Sequence, residues 1–134
     1  MKITFIDSGL LVTAARGVGE DSDKALEILA DSNREFASSE FIKMEVIPKA
    51  VYNRKTAEAE FYELFFSAVT YWANDIEKVI QDAYNIACQY GLAAMDALHI
   101  AAALSVGAEE FMTTEKKTKP MFRVSSIKVI SIFD

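Results

Sequence analysis

The chain has 134 residues, of which 51% are hydrophobic, enough for one well-buried core and too few for two, so a single domain over residues 1–134 is expected. The net charge of −6 excludes capture of nucleic acid by the surface as a whole, and any polyanion partner must meet a local basic patch. A lone cysteine, Cys88, points to a reducing compartment such as the cytoplasm and to a packing role, and with one histidine in all it excludes a zinc site.

The opening MKITFIDSGLLVTAARG resembles a secretory signal superficially, but Asp7 interrupts its apolar run. No apolar stretch reaches bilayer-spanning length, so a soluble chain is expected. Lys2 to Ile6 is rich in β-branched and aromatic residues and reads as a buried strand ended by Asp7-Ser8-Gly9. EDSDKALEILADS suits a short amphipathic helix with its N-cap at Asp21 or Ser22, and EFAS reads as a second strand. Ser39 opens SEFIKMEVIPKAVYN, where Phe41, Met44, Glu45 and Pro48 share a helical face; Pro48 should kink that helix or end its first segment.

A longer helix is predicted from Thr56 to about Ser67, then a strand at VTYW, then a helix over NDIEKVIQDAYNIACQYG closed by Gly91. The aromatics of FYELFFSAVTYW exceed what one buried face needs, which suggests a self-association surface and hence a homodimer. After the alanine-rich helix come a strand at EEFMTT, a basic turn EKKTKP and a closing strand at SIKVISIF. This βαβ alternation predicts an α/β fold, a three-layer α/β/α sandwich around a mostly parallel sheet of about five strands.

The stretch YGLAAMDALHIAAALSVGA sets Asp96 inside an apolar helix, where an ionised carboxylate must protonate, pair or bind a cation. In open parallel sheets ligands bind beyond the carboxyl ends of the strands. Asp7 ends the first strand and Glu115 the fourth; if these are neighbours, helix-borne Glu45 and Asp96 can approach from either side. Four such acids titrate as a coupled set unless a hard divalent cation, Mg²⁺ or Mn²⁺, neutralises them. The matching chemistry is metal-assisted phosphodiester hydrolysis.

FIDSG, SSEFIKMEV, MDALHIAAAL and FMTTEKK occur in the order and rough spacing of the PIN-domain ribonuclease family, which the sequence resembles over nearly its whole length. The resemblance implies a small α/β/α domain, Mg²⁺- or Mn²⁺-dependent cleavage of single-stranded RNA, and Asp7, Glu45, Asp96 and Glu115 as the catalytic, metal-holding set. Many bacterial members are toxins of type II toxin–antitoxin pairs, which implies an antitoxin protein as a partner. Two positions depart from the pattern: Glu115 stands where Asp is more frequent, and Gly9 where a polar side chain is frequent.

Plainer readings stand beside these. Asp7 is also a fitting helix N-cap, Glu45 a solvated helix residue, and Asp96 a first-turn acid favoured by the helix dipole. His99, three residues after Asp96, reads as a packed residue with one nitrogen satisfied. Thr113 and Ser39 are either hydroxyls that steady the carboxylates or helix caps. Lys116 and Lys117, with Arg123, either meet an RNA backbone or form a solvated loop. Aspartate-nucleophile phosphatases are disfavoured by Gly9, and receiver domains by the lack of adjacent acids. The alternative to a nuclease is a catalytically inactive PIN-like module that binds RNA or protein.

Overall fold

A computed structural model describes residues 1–133. Strand β1 (Lys2–Ile6) enters the core with Phe5 and Ile6 fully buried, and Asp7 ends it by capping helix α1 (Ser8–Arg16). This helix has no counterpart among the predicted elements, because a run as short as Leu10-Leu11-Val12 does not distinguish helix from strand by period. Helix α2 (Glu20–Leu29) starts after Gly19, in a positive-φ conformation, and not at Asp21 or Ser22; Ser22 is buried instead. Strand β2 (Arg34–Ser38) follows, then α3 (Glu40–Tyr52), α4 (Thr56–Ser67), β3 (Tyr71–Trp72), α5 (Ile76–Tyr90), α6 (Ala94–Ser105), β4 (Glu110–Thr113) and β5 (Lys128–Ser131). A short 3-10 turn at Pro120–Arg123 precedes β5.

Helix α3 runs through Pro48 without ending, and its inward face is Ile42, Val46 and Ala50, not the face carrying Met44, Glu45 and Pro48. That turns Glu45 toward the rim of the domain. Tyr62, Phe65 and Phe66 of α4 are buried, so most of the aromatic surplus fills the core and does not form an outer surface. Cys88 is exposed and not packed. No single helix among the described residues is long and apolar enough to cross a membrane.

The sheet has five strands in the order β3-β2-β1-β4-β5, and every neighbouring pair is parallel. Right-handed crossovers then place α1 to α4, which pack among themselves, on one face and the packed pair α5 and α6 on the other. Strand order reverses between β1 and β4, so a crevice opens beyond their carboxyl ends.

At the opposite end of that strand pair sits a charge cluster that the sequence reading did not single out. Glu110, 2% exposed, accepts the Thr4 hydroxyl at 2.8 Å and Arg34 Nε at 2.8 Å, with Lys2 Nζ at 3.8 Å. Burial alone would raise its carboxyl, but the Arg34 and Thr4 bonds and the nearby cations outweigh it and hold the group below the ordinary glutamate range. A lowered carboxyl contributes stability that is present above that range and lost as pH falls through the folded-state value. Glu110→Ala strands Arg34 and Thr4 without their shared acceptor and is expected to cost about 3 kcal/mol, checked by urea unfolding at pH 7. A loss under about 1 kcal/mol would show that the cluster behaves as a solvated surface pair.

Candidate active site

The crevice between β1 and β4 is where the predicted acids gather. Ile6 pairs with Met112, so the next residue of each strand, Asp7 and Thr113, emerge side by side. Asp7 is 7% exposed; its Oδ1 accepts the Ser8 N–H at 2.9 Å and its Oδ2 accepts the Thr113 hydroxyl at 2.7 Å. Asp7 is thus both the cap of α1 and a member of the cluster. Thr113 Oγ1 also accepts the Glu115 N–H at 3.1 Å, which sets the turn that carries Glu115 past the end of β4.

Helices supply the other two acids from opposite faces of the sheet. Asp96 lies in the first turn of α6 and is half-buried, not enclosed as its apolar neighbours suggest. Glu45 reaches in from α3, where its Oε1 meets Nε2 of His99 at 2.6 Å. His99 is 2% exposed on α6, so this bond joins the two helical layers around the end of the sheet. Its other ring nitrogen, Nδ1, is buried and has no hydrogen-bond partner among the described residues.

These groups act on one another electrostatically. Burial pushes the Asp7 carboxyl up, and Asp96 adds to it; His99, Thr113 and Ser8 pull the other way and do not prevail. Asp96 is likewise raised, by burial first and then by Glu115 and Glu45, against the pull of His99 and Lys119. Glu45 goes the other way, because its bond to His99 holds the carboxyl down despite partial burial, with a smaller contribution from the Ser8 side chain. One acid is therefore kept ionised while two resist ionisation.

Carboxylate oxygens are the hard donors that Mg²⁺ and Mn²⁺ take, and a divalent ion would relieve the repulsion centred on Asp96. With the side chains as they stand, no three Asp, Glu, His or Cys residues among those described converge closely enough to enclose an ion.

The remaining predicted residues fall around this centre. Ser39 caps α3 by accepting the Ile42 N–H at 3.4 Å. Lys116 and Lys117 are exposed on the turn after Glu115, and Arg123 donates to the Tyr90 carbonyl at 3.0 Å, which ties it to the end of α5. Ser8, Lys119 and the Glu45–His99 bond were not read as parts of a site; only the i, i+3 spacing of Asp96 and His99 hinted at the last. Gly9 has a steric reason. A Cβ at this position would collide with Thr114 Oγ1, so the Thr114 hydroxyl fills the space a side chain at residue 9 would occupy.

The same side of the domain holds a groove of about 270 Å³ that runs from Ser8 and Glu45 past Lys49 to Arg16. Arg16 is fixed there through Nε, 3.0 Å from Glu58 Oε1, and the same oxygen accepts the Tyr62 hydroxyl at 2.6 Å.

Residues 4–121 match the family model described as PIN domain. Among solved structures, a toxin–antitoxin complex from Klebsiella pneumoniae has a chain that superposes with a TM-score of 0.75 at 19% identity, covering 98% of each chain. VapBC2 from Rickettsia felis, bound to a DNA fragment from its promoter, gives 0.71 at 18% identity over 96% of this chain and 98% of that one. VapBC-1 from nontypeable Haemophilus influenzae gives 0.70 at 16% identity over 98% and 99%. Comparison with curated proteins finds no match.

Proposed function

Because the chain belongs to the PIN domain family, we propose that it is a metal-dependent endoribonuclease that cleaves single-stranded RNA and acts as the toxin of a toxin–antitoxin pair. The observation that supports the activity is that Asp7, Glu45, Asp96 and Glu115 lie within electrostatic reach of one another by way of Asp96, near the reversal point of strand order, with the Asp7 and Asp96 carboxyls pushed up by burial and by neighbouring acids. Acids whose carboxyls are perturbed by burial and by one another in a crevice mark a candidate functional site.

In this reading Asp7, Asp96 and Glu115 would hold the cation, Mg²⁺ or Mn²⁺, with Glu45 beside them. When bound, the ion would supply charge neutralisation at the phosphate and ease deprotonation of the attacking water. Thr113 keeps Asp7 and the Glu115 turn in register through its two bonds. Glu45, ionised at neutral pH, is placed to accept a proton from the attacking water. Lys49 and Arg16 line the groove that leaves the site, and Lys116 and Lys117 stand exposed on the turn after Glu115; these cations are suited to the RNA backbone.

An antitoxin partner is supported by the three structural relatives, each solved as a toxin–antitoxin assembly. An apolar groove of about 190 Å³ between Leu29, Phe36, Phe61, Leu64 and Phe65 is a surface for it. A homodimer would use the exposed apolar residues of α5, Ile80 and Tyr84.

The test is cleavage of mixed single-stranded RNAs with Mn²⁺, Mg²⁺ or EDTA, comparing the wild type with Asp96→Asn. Expected is metal-dependent cutting that the substitution lowers by about a thousandfold. No cutting with any metal, in folded protein free of inhibitor, returns the chain to the inactive RNA- or protein-binding module.

A further inference from the structure

We propose that His99 is a positioning residue of the active site: its Nε2 fixes the Glu45 carboxylate, 2.6 Å away, at the edge of the cation-binding acids. This rests on the nuclease reading and adds a residue to it. Four observations support the assignment. His99 is 2% exposed, so its ring is immobilised by packing and not by solvent. Glu45 lies on a face of α3 that does not enter the core, so its orientation comes from other elements, from His99 first and to a smaller extent from the Ser8 side chain. An ionised carboxylate only accepts hydrogen bonds, so Nε2 is the donor to Glu45 Oε1.

The fourth observation separates function from folding. Nδ1 of His99 is buried without a partner among the described residues, a cost to stability that an apolar side chain at this place would not carry. The imidazole is worth its cost only if the Nε2 contact does something that packing does not, and what it touches is a site carboxylate. Hydrogen-bonding partners of this kind set the orientation of metal-binding carboxylates, and their loss lowers metal affinity or activity by about 10–100-fold.

Two variants differ by a single methylene. The amide nitrogen of Gln falls near the position of Nε2, whereas that of Asn falls near Nδ1 and cannot reach Glu45. Mn²⁺ binding to the metal-free protein, measured by titration calorimetry without RNA, is expected to weaken by about 10–100-fold in His99→Asn and to be largely retained in His99→Gln. His99→Leu is expected to lose affinity like Asn while its melting temperature stays within about 3 °C of wild type, because it also removes the unpartnered Nδ1. In cleavage assays kcat should fall and KM stay unchanged.

If wild type and all three variants bind Mn²⁺ equally, His99 only packs and the inference is overturned while the nuclease reading stands. If the wild type itself neither binds Mn²⁺ nor cuts RNA, the nuclease reading falls and takes the inference with it. Loss of affinity in Gln and Asn alike also overturns the assignment, because it shows that the ring's shape matters and its donor does not.

Discussion

Asp7→Asn is expected to raise the melting temperature at neutral pH and, in the same molecule, to eliminate metal-dependent RNA cleavage. The stability half follows from burial. The Asp7 carboxyl is raised because its ionised form is poorly solvated and sits near Asp96, so the folded state binds a proton more readily than the unfolded chain does. Stability from such a group is fully present below the ordinary aspartate range and is lost as pH rises through the folded-state value. Asn carries no charge to lose. It keeps an oxygen for the Ser8 N–H and caps a helix as well as Asp does, and its amide can donate to Thr113 Oγ1 if that hydroxyl turns. A gain of about 0.5–2 kcal/mol at pH 7.5, vanishing near pH 4, is the expected size. Cleavage should fall by about a thousandfold, since the variant removes a cation-holding oxygen. Thermal melts at both pH values, run beside the RNA assay, check it; a variant that melts lower at pH 7.5 would mean that Asp7 serves the fold as a cap and the charge is incidental.

Saturating Mn²⁺ is expected to raise the melting temperature by about 10 °C at pH 7.5, since ligand at a hundred times its dissociation constant adds about 2.7 kcal/mol to a domain of this size. The increment should shrink as pH falls. Asp7 and Asp96 both have raised carboxyls, so they take up protons before ordinary acids do, and each proton must leave when the ion binds. Metal-free protein carries two opposed slopes. Glu45 and Glu110, held below the ordinary range, lose their contribution in acid, whereas Asp7 and Asp96 cost stability as pH rises through their raised values. The metal-free curve should therefore peak on the acid side of neutrality, and Mn²⁺ should move the peak upward in pH. A Mn²⁺ increment that is the same at pH 5 and pH 7.5 would indicate that the ion binds elsewhere than at these carboxylates.

Much of this arrangement was legible before any coordinates. Strand β1 ends at Ile6 as its composition demands, Gly91 closes α5 in the left-handed conformation, and β1 and β4 are neighbours, which brings Asp7 and Glu115 to one edge. What escaped the sequence has local causes. Helix α1 was missed because Ser8 to Arg16 lacks a long enough period. The inward face of α3 was not legible because Phe41, Met44 and Glu45 satisfy helical spacing as well as Ile42, Val46 and Ala50 do, and only tertiary packing chooses between them. Glu110 was not singled out, because Arg34 and Thr4, its partners, lie far away in sequence. The His99 contact with Glu45 crosses from one helical layer to the other, a pairing no spacing rule contains.

The collision that bars a side chain from Gly9 reaches beyond packing. Positions 9 and 114 draw on one shared volume, so residue 9 gains a side chain only where the Thr114 hydroxyl gives way, whereas residue 114 can shrink with Gly9 in place. The stepwise change from Gly-Thr to Ser-Gly is therefore smoother through Gly-Gly than through Ser-Thr, where the Thr114 side chain must first turn. Two residues far apart in the chain are coupled in one direction, and the order of substitutions matters as well as their sum.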